Sequence, residues 1–153
     1  MRCVVGCDPG FAGAIAVLTT GAPKLHRMPV IRKPRNAYDI DGISNLLYEY
    51  GPSEMIPANG PRPLLVVESV TRPASLTYCM GLLVGMGWTL DYEVARVRPQ
   101  EWKRYFGLGP VKADSIALAL KTWPSLKRTI TRAGDDGLAE AALIALWARE
   151  NLE

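Results

Sequence analysis

Two short runs of unbroken apolar residues, each closed by an acid, constrain this chain more than any other feature. Cys3-Val4-Val5-Gly6-Cys7 ends at Asp8, and Leu64-Leu65-Val66-Val67 ends at Glu68. A strand with one wet face alternates apolar and polar side chains. A run that does not alternate is covered on both faces, so the second run reads as a central strand and the first as another buried one.

The intervening segments supply the cover. Gly13 to Leu18 follows the Pro9-Gly10 turn and reads as a second strand, antiparallel to the first. A third strand is expected around Leu25–Met28, followed by a loop in a stretch (19–36) rich in proline and basic residues. Helical apolar spacing marks Asp41 to Tyr50, and a Pro/Gly-rich surface connection spans 51–63. Residues 74–88 read as a helix whose Gly81 and Gly85 are suited to close packing against the sheet or a partner helix. A strand from Tyr92 to Val97, a short helix at Pro99–Tyr105, a longer one at Lys112–Thr122, and a last helix from about Asp135 to Asn151 complete the pattern. The last helix is apolar almost all round and should be buried. With 48% apolar and 22% charged residues, the 153 positions fit one globular domain, residues 1–153.

No apolar run is long enough for a membrane span, and no secretory signal layout opens the chain. The three cysteines read as reduced core thiols, so the expected location is the cytoplasm. Net charge is only +3 but unevenly placed: residues 96–132 hold nine Lys/Arg against two acids, a balance of +7 that leaves −4 elsewhere. Such a basic stretch suits a polyanion, although solvated helix faces also collect lysines.

Asp8 and Glu68 close strands that one sheet can place side by side. Asp136 and Glu140 stand one helical turn apart on the buried last helix and share a face. Ionised carboxylates near a core are costly unless paired or metal-bound. Four converging acids would repel each other unless divalent cations neutralised them, and all-oxygen ligation suits Mg²⁺ or Mn²⁺. Two such ions can promote phosphodiester hydrolysis. Taken singly the acids have plainer roles: Asp8-Pro9-Gly10 is an ordinary turn, Asp135 a helix N-cap, and Glu140 a solvated helix position.

The set Gly6-Cys7-Asp8-Pro9-Gly10, Gly13-Ala14-Ile15-Ala16, Val66-Val67-Glu68 and Asp135-Asp136-Gly137-Leu138-Ala139-Glu140-Ala141 resembles the RuvC-like Holliday junction resolvases, most closely the short phage-type members. Arg98-Pro99-Gln100-Glu101-Trp102-Lys103 and Lys112-Ala113-Asp114-Ser115 extend the resemblance over most of the chain. It implies an α/β, ribonuclease H-like fold, a mixed five-stranded sheet with helices on both faces. It also implies a homodimeric endonuclease that uses Mg²⁺ or Mn²⁺, two ions per site, to nick opposing strands of a four-way DNA junction in recombination and repair. Carried over by position, Asp8, Glu68, Asp136 and Glu140 would be the catalytic metal ligands, with Asp135 an alternative ligand. Glu140 stands where the family usually has an aspartate. Arg72, Lys103, Arg104 and Lys112 would contact DNA. Trp102 and Tyr105 read as packing residues.

Rival expectations are a nuclease of the same fold acting more broadly on branched, flap or RNA–DNA hybrid substrates, and a junction-binding module without catalysis. A nucleotide-binding ATPase of the actin-like type would need a second lobe that the chain is too short to hold.

Overall fold

The computed structural model describes residues 2–51 and 60–153. Five strands form one mixed sheet: β1 (Val4–Asp8), β2 (Ala14–Leu18), β3 (Lys24–Arg27), β6 (Leu64–Glu68) and β7 (Glu93–Val97). Their spatial order is β3-β2-β1-β6-β7. β1 is antiparallel to β2 and parallel to β6, and β6 is parallel to β7. A separate two-stranded hairpin, β4 (Val30–Ile31) with β5 (Ala37–Tyr38), stands where only a loop was expected. Two-residue strands carry too little periodicity to be read from sequence. Most of the Pro/Gly-rich connection expected at 51–63 lies outside the described residues.

Among the described residues five α-helices cover the sheet: α1 (Ile40–Tyr50), α2 (Ala74–Thr89), α3 (Pro99–Tyr105), α4 (Lys112–Thr122) and α5 (Asp136–Leu152). The pleat divides the strands cleanly between two layers. Val5, Cys7, Ile15, Val17, Leu65 and Val67 pack with Ile43 and Leu47 of α1 and with Cys79 and Leu83 of α2. Val4, Leu64, Val66 and Val97 turn the other way, onto Trp102 of α3 and Leu143, Ile144 and Ala145 of α5. The unbroken apolarity of β1 and β6 therefore reflects two cores, one above and one below the sheet.

Helix α5 lies unusually close to that sheet. Ala14 and Ala16 of β2 meet Ala139, Ala141 and Ala142 of α5, all fully buried. At Gly6 the approach is closest. A Cβ there would press on the Ala141 carbonyl oxygen and sit 2.5 Å from the Ala145 amide nitrogen. Small side chains on both surfaces let the helix backbone settle onto β1 and β2.

The expected close packing of Gly81 and Gly85 against the sheet does not occur. Both face outward, and a Cβ at either position would meet nothing within 4 Å, whereas Gly87 packs tightly on Leu65 and Val94. The apolar content of α2 made its inner face ambiguous, because that helix is apolar nearly all round. Among the described residues no helix is long and apolar enough to cross a membrane. All three cysteines are free thiols, with Cys7 and Cys79 buried.

Candidate active site

The parallel register Val4↔Leu64 through Cys7↔Val67 brings Asp8 level with Glu68 at the carboxyl ends of adjacent strands. Asp8 has the parity of Val4 and Gly6, and Glu68 that of Leu64 and Val66. Both side chains therefore face the α5 layer. The first turn of α5 closes over them because residue 137 is glycine: a Cβ there would lie 3.1 Å from Asp8 Oδ2 and 2.5 Å from the Ala12 carbonyl oxygen. Asp8, Glu68, Asp136 and Glu140 line one cavity of about 290 Å³, together with the Pro9–Gly13 turn, Leu76 and Lys112. A crevice beyond the carboxyl ends of parallel strands is where open α/β sheets bind ligands.

Two acids of this cavity, Asp8 and Glu68, are pushed toward the protonated state. Burial pushes the Asp8 carboxyl well above its ordinary range, and the charges of Glu68, Glu140 and Asp136 push further, with Lys103 opposing. Burial also raises Glu68, against a hydrogen bond from Trp102 that favours its ionised form. Two lysines relieve part of the repulsion. Lys103 Nζ lies 3.0 Å from Glu140 Oε1, and Lys112 Nζ lies 2.8 Å from Asp136 Oδ2. As the side chains stand, no group of three His, Cys, Asp or Glu among the described residues converges closely enough to chelate one ion. Asp136 and Glu140 are turned instead onto ammonium groups, which hold positive charge beside the acids.

Two neighbours escaped the sequence reading. Trp102 is fully buried, as a packing residue should be, yet its indole Nε1–H donates to Glu68 Oε2 at 2.7 Å. The Ser115 hydroxyl donates to Glu140 Oε1 at 3.4 Å. Both fall in segments that extend the resemblance, but nothing in the sequence marks either as a partner of the acids, because a Trp or Ser on a helix has many uses. Only the tertiary placement of α3 and α4 aims them at the acids.

The two adjacent acids at the start of α5 part ways: Asp136 lines the cavity and Asp135 does not. Asp135 points away from the cavity and accepts from Arg27 at 2.8 Å and from the backbone N–H of Thr131 and Arg132 at 2.8 and 3.0 Å. Burial would raise its carboxyl, but these donors outweigh it and hold the pKa down at about 2. It occupies the N-cap position of α5 without capping that helix: its side chain closes the preceding turn instead.

The expected DNA-contact residues divide. Lys103 and Lys112 reach the acids directly. Arg104 lines an adjoining groove of about 540 Å³ with Lys103, Pro99 and Gln100. Arg72 sits in the loop after Glu68 and lines a different hollow, with Arg98 and Gln100.

Three solved structures share this architecture. Thermus thermophilus RuvC, solved in complex with a Holliday junction substrate, superposes with a TM-score of 0.59 at 17% identity, covering 99% of this chain and 97% of its own. A second Thermus thermophilus RuvC structure gives 0.56 at 16% identity, covering 97% and 96%. The fowlpox virus Holliday junction resolvase gives 0.65 at 14% identity, covering 99% and 100%.

The chain has the RuvC-like resolvase fold.

That fold is ribonuclease H-like, with the mixed five-stranded sheet and two-sided helical cover that the resemblance implied. No protein-family model and no curated protein matches the chain in sequence. At these identities the RuvC-like likeness is one of fold. Any common activity has to be argued from the site itself.

Proposed function

We propose that the protein, as one nuclease domain spanning 1–153, is a divalent-metal-dependent DNA endonuclease that resolves Holliday junctions by paired, symmetric nicks. The observation that carries this is the convergence of Asp8, Glu68, Asp136 and Glu140 on one cavity of a RuvC-like fold, with Lys103 and Lys112 at the acids. The donor set is all oxygen, the chemistry that suits Mg²⁺ or Mn²⁺. Asp8, Glu68, Asp136 and Glu140 would hold the metal, with Asp136 and Glu140 released from their lysines. When bound, one or two such ions would neutralise the acids, polarise a phosphate and activate water. Asp135, already saturated by Arg27 and two amides, is not part of this set.

The remaining work falls to the chain itself. Trp102 holds one oxygen of Glu68 and so orients the carboxylate. Lys103 and Lys112, freed from their acids, become point charges for the phosphates flanking the reacting bond. Leu76 and the Pro9–Gly13 turn wall the cavity and limit water.

Matched labelled substrates test this reading. With Mg²⁺ or Mn²⁺, a four-way junction should be nicked at paired symmetric positions, with flaps and RNA–DNA hybrids left intact and EDTA stopping the reaction. Cutting of flaps or hybrids at comparable rates would replace it with a broader nuclease. The present pairing of Asp136 and Glu140 with lysines favours one other reading, a junction-binding module without catalysis. Tight junction binding with no nicking in either metal would establish that instead.

Paired nicking needs two sites at a fixed separation, which a symmetric dimer supplies. The outward face of α2 is suited to that contact. Tyr78 (58% exposed) and Trp88 (72% exposed) flank Gly81 and Gly85 at helical spacing, leaving an unpaired apolar strip. Sedimentation should give a dimer for the native chain and a monomer for Tyr78→Glu/Trp88→Glu. A native chain that sediments as a monomer at micromolar concentration would remove the dimer from the proposal.

A further inference from the structure

Basic residues outside 96–132 also flank the Pro9–Gly13 turn, since Arg27 and Arg32 line a hollow with Phe11, Ala12 and Gly13. Residues 19–38 contain Lys24, Arg27, Arg32, Lys33 and Arg35 and no acid at all. Three of these lie in the exposed loop of the β4–β5 hairpin, where like charges repel and no carboxylate of the described residues comes within 4 Å of Arg32, Lys33 or Arg35. Concentrating such charge on a surface raises the free energy of the unbound protein and favours a polyanion.

The hairpin is anchored to the catalytic turn. Phe11, three residues beyond Asp8, stacks on Tyr38 of β5 with ring centroids 4.4 Å apart and planes 19° from parallel. The Tyr38 hydroxyl donates to the Ser75 carbonyl at 2.8 Å, and the Asp39 amide donates to the Pro29 carbonyl at 3.0 Å across the hairpin base. Between hairpin and turn lies a hollow of about 320 Å³ whose polar side chains are Arg27, Arg32 and Asn36. It shares Phe11, Ala12 and Gly13 with the acid cavity, so the two hollows meet along one rim.

Strand order gives the scale. The hairpin follows β3 at one edge of the sheet, α3 follows β7 at the other, and Asp8 ends the middle strand. Four strand spacings put the two basic walls roughly 19 Å apart. A nucleic acid strand crossing that span carries several phosphates. The central ones would lie over the acids, with Lys103 and Arg104 at one end and the hairpin at the other.

We propose that the β4–β5 hairpin, through Arg32, Lys33 and Arg35, is a second phosphate clamp that holds the DNA backbone on the β3 side of the catalytic cavity. The clamp rests on the nuclease reading above and assigns a DNA contact to residues outside the basic 96–132 segment. Arg27 is tethered to Asp135, so it shapes the hollow and is not counted among the clamping charges.

The test compares Asp8→Asn protein, which keeps the DNA uncut, with the same protein carrying Arg32→Gln, Lys33→Gln and Arg35→Gln. Binding of a fluorescent synthetic four-way junction is followed by anisotropy across a salt series. Removing two to three phosphate contacts should lower the slope of log affinity against log salt by about 2 and weaken binding at least about tenfold near 0.1 M salt. Thermal melting should be unchanged, since the three side chains are exposed. Arg62→Gln, an exposed cation at the opposite end of the sheet paired with Asp91, should leave the slope as it was. An unchanged slope in the triple variant, with the parent still binding steeply, overturns the clamp and leaves the nuclease reading intact. A parent that shows no salt-dependent DNA binding overturns both.

Discussion

Asp8→Asn is expected to lower strand cleavage by at least about 10³-fold while raising the melting temperature of the metal-free protein at neutral pH. The first half follows from position. Asp8 sits at the centre of the acid set, under Gly137 and level with Glu68. On the nuclease reading, loss of a central ligand would remove charge stabilisation worth several kcal/mol, and a thousandfold corresponds to about 4 kcal/mol. The second half follows from proton linkage. Asp8 and Glu68 both have folded-state pKa values above their ordinary 3.8 and 4.5. Across the window that opens near pH 4, the native state therefore binds more protons than the unfolded chain. Stability of the metal-free protein then falls as pH rises through that window. Asparagine has no proton to lose, so melting of Asp8→Asn in EDTA should change less between pH 5 and 8 than that of the native chain. A lower melting temperature than native at pH 8 in EDTA would show that Asp8 is not under electrostatic stress.

Asp135 supplies the opposite sign. Its pKa of about 2 lies below the ordinary carboxylate value, so its contribution is present above about pH 4 and lost as pH falls toward 2. Asp135→Asn should therefore melt lower than native at neutral pH, the reverse of Asp8→Asn.

Gly6→Ala should be strongly destabilising, because the added methyl pushes α5 off the sheet. The added methyl meets backbone, the Ala141 carbonyl and the Ala145 amide, and not the end of a flexible side chain. Neither β1 nor α5 can rotate out of the way, because β1 is held on both edges and α5 is buried along most of its length. The helix has to move off the sheet. Overpacking of this kind costs about 3 kcal/mol, a drop in melting temperature of about 10 °C for a chain of this size. Asp136 and Glu140 ride on the same helix, so cleavage should fall further than stability alone accounts for at a temperature where the variant is still folded. Calorimetry with a parallel cleavage assay measures both. Native melting and full cleavage in Gly6→Ala would mean that α5 is not seated as described.

How far the site could be read in advance depended on the kind of signal. Asp8 and Glu68 were visible because an acid after an apolar run is conspicuous, and Asp136 and Glu140 because four residues make one helical turn. Trp102 was visible only as bulk. Its hydrogen bond to Glu68 depends on α3 starting immediately after β7, beside β6. Gly81 and Gly85 suggested a contact without saying on which side of α2. Arg32, Lys33 and Arg35 looked like a basic loop, since the hairpin that presents them is closed by only two residues from each strand.

The sequence by itself determined the layering and the inventory of acids, because burial on both faces and helical spacing are periodic and local. Only the tertiary structure decided which carboxylates share a cavity. The Val4↔Leu64 register sets Asp8 beside Glu68, and Gly6 and Gly137 let α5 descend onto them. Asp135, adjacent to Asp136 in the chain, is carried off by Arg27 from a different strand. Those choices depend on contacts between residues far apart in sequence, where no local pattern records which partner wins.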